Sequence, residues 1–344
     1  MKDFLPIVKL ACLTAAAALI VSCGGGADYR NVLPADSFVT MSVDAASLLK
    51  KSGTCDAASN PLLDRLKAEL DKAEELSAEE KEYLFSLLEN PAESGLDLKK
   101  ELFLFMSADG ADINNPEVGG GLLFPVGDKS KLDALIARIN EKSGTETVTE
   151  AGVSVVKIGE ESEASGVCAY NDIACLLYFK TDPCGVVEEK VRKLFAQKRA
   201  ESLMGDKAVA ARLAARNDVN MVVSYANLSA MMNNPMLGAM PMMDVLKGAL
   251  VMGSANFEKG RIVSDAAVSY KDKASVEKAA AFYAYVKPQT GALLRYLPAG
   301  SLAALSYGLD GEKLYAMLAA MPGYGMMLGN PMVKQVLDAF DGDC

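Results

Sequence analysis

The sequence predicts an α+β fold with largely antiparallel sheets, and three observations carry that expectation. Hairpin signals and long helical stretches interleave without the strand-helix-strand rhythm of a parallel sheet. Phe38 to Val43 is an alternating apolar run, and Ala249 to Phe257 with Arg261 to Tyr270 flank a Gly-containing turn as a hairpin does. A unit of strand, helix, connector and helix recurs along the chain.

The amino-terminal segment opens with Lys2 and Lys9 and then runs uncharged from Leu10 to Val21. That is the basic start and apolar middle of a secretion signal, too short for a bilayer, which takes roughly 20 apolar residues in a helix. Ile20-Val21-Ser22-Cys23 follows, with a branched apolar residue at minus three, a small one at minus one and a thiol at the cleavage point. It resembles the lipobox of bacterial lipoproteins, in which the cysteine sulfur receives a diacylglycerol and the freed amine a further acyl chain such as palmitate. Residues 1–22 are expected to be a removed signal peptide and Cys23 the lipidation site. Residues 23–32, which include Gly24-Gly25-Gly26-Ala27, are expected to form a flexible tether. Each buried acyl methylene contributes about 0.8 kcal/mol, so two or three chains anchor durably.

In the body, Leu33-Pro34-Ala35-Asp36-Ser37 leads into a strand from Phe38 to Val43 and a helix to Lys51. Leu297-Pro298-Ala299-Gly300-Ser301 repeats that punctuation before Leu302 to Tyr307 and a helix from Gly311 to Met321. A third copy, Asn220 to Tyr225 and then Ala226 to Met231, lacks the opening. Each copy reaches an Asn-Pro, at Asn60-Pro61, Asn234-Pro235 and Asn330-Pro331, a helix start in which Asn caps and Pro takes the first turn. Their uneven spacing indicates duplication of a domain element and not a solenoid.

Ser77-Ala78-Glu79-Glu80 is a capping box before a helix from Lys81 to Glu89. Strands are expected at Leu102 to Met106 and Gly121 to Pro125, a helix at Lys131 to Asn140, and strand-rich stretches at Val153 to Ile158 and Val167 to Phe179. Asp182-Pro183 opens a helix through Gln197. Ala249 to Phe257 and Arg261 to Tyr270 flank a Gly-containing turn, and Ala274 to Tyr296 reads as helix broken near Pro288. A boundary near Ala200 to Asn217 gives two α+β domains, 33–205 and 206–344. Val336 to Cys344 reaches the point at which the first unit enters its next strand and stops. A reading frame continuing past Cys344, or a borrowed strand, is expected.

Composition narrows the chemistry. With 35 Lys and Arg, 45 Asp and Glu and a net charge of −10, the chain lacks the basic surface that nucleic acid requires. Histidine is absent, which removes Ser-His and Cys-His pairs and imidazole metal sites together. Beyond Cys12 in the signal and Cys23, five cysteines remain: Cys55, Cys168, Cys175, Cys184 and Cys344. A two-residue turn at Asn171-Asp172 would set Cys168 opposite Cys175, as a disulfide or as buried thiols.

Ser47-Leu48-Leu49-Lys50 and Ser275-Val276-Glu277-Lys278 match the Ser-x-x-Lys of penicillin-recognising enzymes, with Ser254-Ala255-Asn256 and Lys142-Ser143-Gly144 as imitations of the other elements. Their order is wrong for that family, and surface helix residues account for them. Asp109, Asp112 and Asn114, like Asp341-Gly342-Asp343, lack the closing glutamate of a calcium loop. Gly119-Gly120-Gly121 lacks the Gly-Lys-Ser/Thr ending of a phosphate loop. Methionines cluster at Met231, Met232, Met236, Met240, Met242, Met243 and Met252, and at Met317, Met321, Met326, Met327 and Met332. They read first as core filling, then as a groove for a peptide or lipid, and last as a cuprous site.

The Leu-Pro-Ala-Asp-Ser entry after the lipobox, its return at Leu297 and the Asn-Pro helices resemble a lipoprotein family of Bacteroides-type bacteria, the domain of unknown function 4836. The resemblance implies a cell-envelope lipoprotein and carries no functional residues. The expected protein is thus a non-catalytic interaction or scaffold protein without cofactor or metal, lipid-anchored on the outer membrane, with the leaflet open. Its expected partners are the membrane and either envelope proteins or a hydrophobic ligand. A carrier acting through the Met-rich segments is the alternative, and a Ser-Lys hydrolase the third.

Overall fold

The structure, a computed structural model, describes residues 28–52, 61–73, 76–109, 117–158, 165–180, 184–231, 245–300, 306–321, 324 and 328–343. The expected signal peptide, Cys23, Cys55, Cys344 and most of the first methionine cluster lie outside them. By internal contacts the chain divides into two units, one of Met1–Met231 with Val251–Val268, the other of Met232–Leu250 with Ser269–Cys344.

The first unit is built on ten strands in the order β10-β9-β8-β1-β2-β3-β7-β6-β5-β4. They are β1 (Ser37–Val43), β2 (Leu102–Asp109), β3 (Glu117–Pro125), β4 (Thr147–Glu150), β5 (Val153–Ile158), β6 (Ser165–Tyr170), β7 (Ala174–Lys180), β8 (Val219–Ser224), β9 (Ala249–Glu258) and β10 (Arg261–Tyr270). Every register from β8 to β4 is antiparallel, so the expected α+β class holds. Helices α1 (Ala45–Ser52), α2 (Pro61–Asp71) and α3 (Ala78–Glu89) lie between β1 and β2 in the chain, and α4 (Lys129–Ser143) follows β3. Helices α5 (Cys184–Ala196) and α6 (Lys207–Ala214) precede β8, and α7 (Tyr225–Met231) follows it.

Both faces of the sheet carry helices. On one, Leu84, Leu87 and Leu88 of α3 and Leu132, Leu135 and Ile136 of α4 form a core with Phe124, Val156, Cys168, Tyr170 and Cys175. On the other, α5 packs on β5, β6 and β7, and α6 on β8. The capping box closes in both directions, the Glu80 N–H donating to Ser77 Oγ and the Ser77 N–H to Glu80 Oε2 (3.3 and 2.6 Å). An ion pair with Lys142 and the Ser77 bond hold the Glu80 carboxyl down at about 2. Ser77→Ala is expected to cost about 1 kcal/mol, read as a lower urea midpoint. A depressed carboxyl stabilises the fold above its unfolded value. Its contribution is lost as pH falls from about 4 through the folded value.

Six of the ten strands have an internal symmetry. The recurring unit equates Thr40 with Val222, and these two residues face each other in the β1–β8 pairing. The order β10-β9-β8-β1-β2-β3 therefore reads alike from either end, about a pseudo-two-fold axis through that pair. The duplication continues in the chain: α4 starts on an Asp128 cap followed by Lys129, and α8 (Lys273–Phe282), after β10, on an Asp272 cap followed by Lys273.

Several expectations change. The boundary expected near 200–217 lies in a stretch with two 3-10 turns and α6, the helix capped by Asp206 and burying Val209 and Leu213, and that stretch belongs to the first unit. The body end of the tether is fixed, because Tyr29–Val32 form a 3-10 turn with Tyr29 and Val32 buried. The Asn171 N–H donates to Ala174 O (2.9 Å) and its carboxamide accepts from the N–H groups of Ile173 and Ala174 (both 3.0 Å), so the two-residue turn lies at Asp172-Ile173, one residue beyond its expected place. Tyr170 then faces Cys175, and Cys168 faces Leu177.

The second unit contains α8, β11 (Gly308–Asp310), α9 (Gly311–Ala319), α10 (Pro331–Asp338) and β12 (Asp341–Asp343), with β11 and β12 antiparallel. The expected helix over Ala274 to Tyr296 ends at Phe282. The backbone beyond it bonds β11 instead, Lys287 N–H to Gly308 O and Asp310 N–H to Tyr285 O, both at 2.7 Å. Asn330 caps α10 as its Asn-Pro predicts.

Candidate functional site: an apolar cleft in the second unit

The end of α8 and one face of α9 enclose an open cleft of about 330 Å³. Phe282, Tyr285 and Ala281 form one wall. Ala316, Met317 and Ala320, at the three- and four-residue spacing that shares a helix face, form the other. The small residues leave the space and the aromatic rings bound it. The lining amine, on Lys313, sits 3.0 Å from Asp310, which also caps α9 by accepting from the Lys313 N–H. Asp310 lies 3.6 Å from Lys287, which is paired with Asp341. Those partners hold the Asp310 carboxyl below the usual range, Lys313 foremost. The rim is thus a balanced charge cluster, and the walls are hydrocarbon and thioether.

Other apolar side chains of this unit face solvent: Tyr296, Leu294, Val336 and Met332, the last 68% exposed. Of the methionines expected to act together, Met317 lines the cleft, Met332 is on the surface and Met252 is buried in β9. The described residues do not gather them into a thioether cluster for copper. Among the described residues no three acidic or thiol groups converge on a metal position. Asp112 and Asn114 lie outside them.

The Ser-x-x-Lys residues are placed differently. Ser47 Oγ donates to Asp218 (2.7 Å), and the amine that joins it is Lys51, not Lys50, with Nζ at 2.8 and 2.7 Å from the two Asp218 oxygens. The Phe257 N–H reaches Asp218 as well (2.6 Å), and Asn256 Oδ1 accepts from the Asp218 N–H (3.2 Å). Burial pushes the Asp218 carboxyl up, but Lys51, Ser47 and the Phe257 amide outweigh it and hold it below the ordinary range. Ser-Lys chemistry requires a hydroxyl facing a neutral amine. Here the hydroxyl and the amine both turn to one carboxylate, so neither faces the other. Ser275 Oγ donates to Asp272 at 2.8 Å and Ser254 Oγ to Asp265. Lys142 is paired with Glu80, and Ser143 Oγ donates to Ile139 O (2.9 Å).

Cys168 and Cys175 are buried free thiols on diagonal strand positions, with sulfurs 3.9 Å apart. The Cys168 contact and then burial push the Cys175 thiol up, so it is a poor nucleophile. Iodoacetamide is expected to leave both unmodified in the folded chain and to label both in denaturant, as peptide mass mapping would show. Labelling of either under native conditions would contradict the core placement. Gly119-Gly120-Gly121 lies within β3, where the glycines admit neighbouring side chains, and not in a loop before a strand.

Sequence comparison places this arrangement. Residues 29–343 match the family described as Domain of unknown function (DUF4836). The chain belongs to that family. A comparison of this DUF4836 chain with curated proteins gave no match. Among solved structures it is similar to "Structure of crystal form I of TP0453", at 7% identity and a TM-score of 0.34, covering 72% of this chain and 81% of that one. No helix of the described residues is long and apolar enough to cross a membrane.

Proposed function

We propose that this protein is a non-catalytic binding protein of the cell envelope. Acyl chains on Cys23 hold it on a membrane, and its α8–α9 cleft takes a hydrophobic segment of a neighbouring envelope protein. One observation carries the reading: the cleft walls are apolar and the amine at the rim is already neutralised by Asp310, so occupancy is favoured by burying hydrocarbon and not by recognising charge. The lipobox at Ile20-Val21-Ser22-Cys23 supports the anchor, and the missing histidine disfavours acid-base chemistry. Met317 in the wall supports a second reading, a carrier of a small apolar ligand, because a flexible thioether adapts to varied shapes.

A photo-crosslinking amino acid at Met317, with Gln335 on exposed α10 as control, separates the readings in cells of the native host. A discrete protein adduct at 317 alone supports the protein partner. A lipid-mass adduct alone transfers support to the carrier, and no adduct overturns the cleft as a binding site. Mass spectrometry of the mature chain tests the anchor: an unmodified Cys23 in a freely soluble chain would refute it.

A further inference from the structure

We propose that β10 is a dimerisation edge, at which two copies of this chain pair their β10 strands antiparallel about a two-fold axis and continue one sheet across both. The inference concerns the first unit and stands apart from the cleft. Among the described residues β10 ends the sheet, and Arg261 to Val268 are exposed throughout, with Ile262 at 66% and Val268 at 52%. Both side-chain rows of the strand are therefore open.

Outer strands invite pairing, and proteins guard them with shortness, charge, proline or bulges. The opposite outer strand, β4, has such a guard, being four residues long with Glu146 before it and Glu150 at its end. Strand β10 is ten residues long, without proline or lysine. Its one interior charge, Asp265, is committed to Arg212 at 2.7 Å and to the Ser254 hydroxyl. In a chain of net charge −10, Arg261 and Asp265 leave this strand neutral, so two copies meet here without repulsion.

The internal symmetry shows that the neighbouring place suits a strand. Strand β3 is the counterpart of β10, and β7 pairs with it antiparallel from Gly120 to Pro125. A two-fold normal to the sheet requires one residue to face its own copy. With Asp265 on the axis two carboxylates collide, which like charges directly opposite disfavour. With Ala266 on the axis, Asp265 faces Ala267, Ser264 faces Val268, and Ile262 faces Tyr270, the aromatic and β-branched combination that stabilises antiparallel neighbours. That register also covers Ile262, the most exposed large apolar side chain of the strand.

The test uses the full-length chain with Ala266→Cys. Facing residues in an antiparallel pair have α carbons about 4.5 to 5.5 Å apart, within disulfide reach. Mild oxidation should therefore give a covalent dimer absent from the parent chain and from Val148→Cys on β4. By light scattering, the parent chain should have the molar mass of two copies, and the double variant Ile262→Lys, Val268→Lys that of one. A monomeric parent chain at high micromolar concentration, or Ala266→Cys that crosslinks no more than Val148→Cys, overturns the proposal. If the lysine variant fails to fold, the crosslink decides alone.

Discussion

Gly121→Val is expected to destabilise the first unit by about 3 kcal/mol, the upper part of the range for overpacked cores, read from urea unfolding of the purified chain. The glycine sits within β3, facing Phe105 on β2 and Tyr178 on β7. A β carbon there would lie 2.9 Å from Leu176 Cδ1, from Phe105 Cζ and from the Leu177 carbonyl oxygen. Side-chain ends can turn aside, but the carbonyl belongs to the ladder and cannot. Phe105 and Tyr178 are almost fully buried and stacked at 6.1 Å, so relieving one contact presses on the next. Gly120→Ala, whose β carbon would meet Phe105 O at 3.1 Å and little else, should cost less. Equal stability of Gly121→Val and the parent would show that β2, β3 and β7 are not packed in this way.

Asp218→Ala is expected to cost a similar amount, about 3 kcal/mol. Removing one partner of a buried ion pair costs about 3 to 5 kcal/mol, and the low end applies because the Lys51 side chain is 39% exposed and regains water. The loss extends beyond the pair, since the Ser47 hydroxyl and the Phe257 N–H lose their acceptor together. Asp218→Asn keeps the shape and part of the hydrogen bonding and should fall between. Because the folded carboxyl is depressed, its stabilisation is present above the unfolded value of about 3.9 and disappears as pH falls through the lower folded value. The stability gap between parent and Asp218→Ala should accordingly close in acid; a pH-independent gap would assign the loss to packing.

Much of the fold was legible because its punctuation is local. Ser77 and Glu80, Asn330 and Pro331, and the Gly260 turn each set an element end through contacts within four residues. The exposed strand β4 was not, since Thr147 to Glu150 has no apolar alternation and exists only through its ladder with β5. Nor was the end of α8, where β11 takes the backbone that would have continued the helix. The Cys168 register was misplaced because counting outward from Asn171 ignores what its carboxamide does to the turn. Of the cleft, Met317 carried a signal within a methionine cluster, whereas Ala281, Ala316 and Ala320 matter for the volume they do not occupy. Nothing in one stretch of sequence shows that α8 and α9 will face each other. The Asp218 network was hidden for the same reason, as Ser47 and Lys51 meet their acceptor only because β8 lies beside β1.

The pairing of β1 with β8, Val39 against Val223, sets an order of assembly. A chain delivered amino-terminus first can zip β1 to β2 while the far side of β1 waits for residues that have not yet emerged. Closure of so long a loop is the slow kind of contact, and in the interval the far edge of a seven-residue strand stands bare. The expected kinetic signature is an early phase confined to β1, β2 and β3, followed by a late one that protects β1 and β8 amides together.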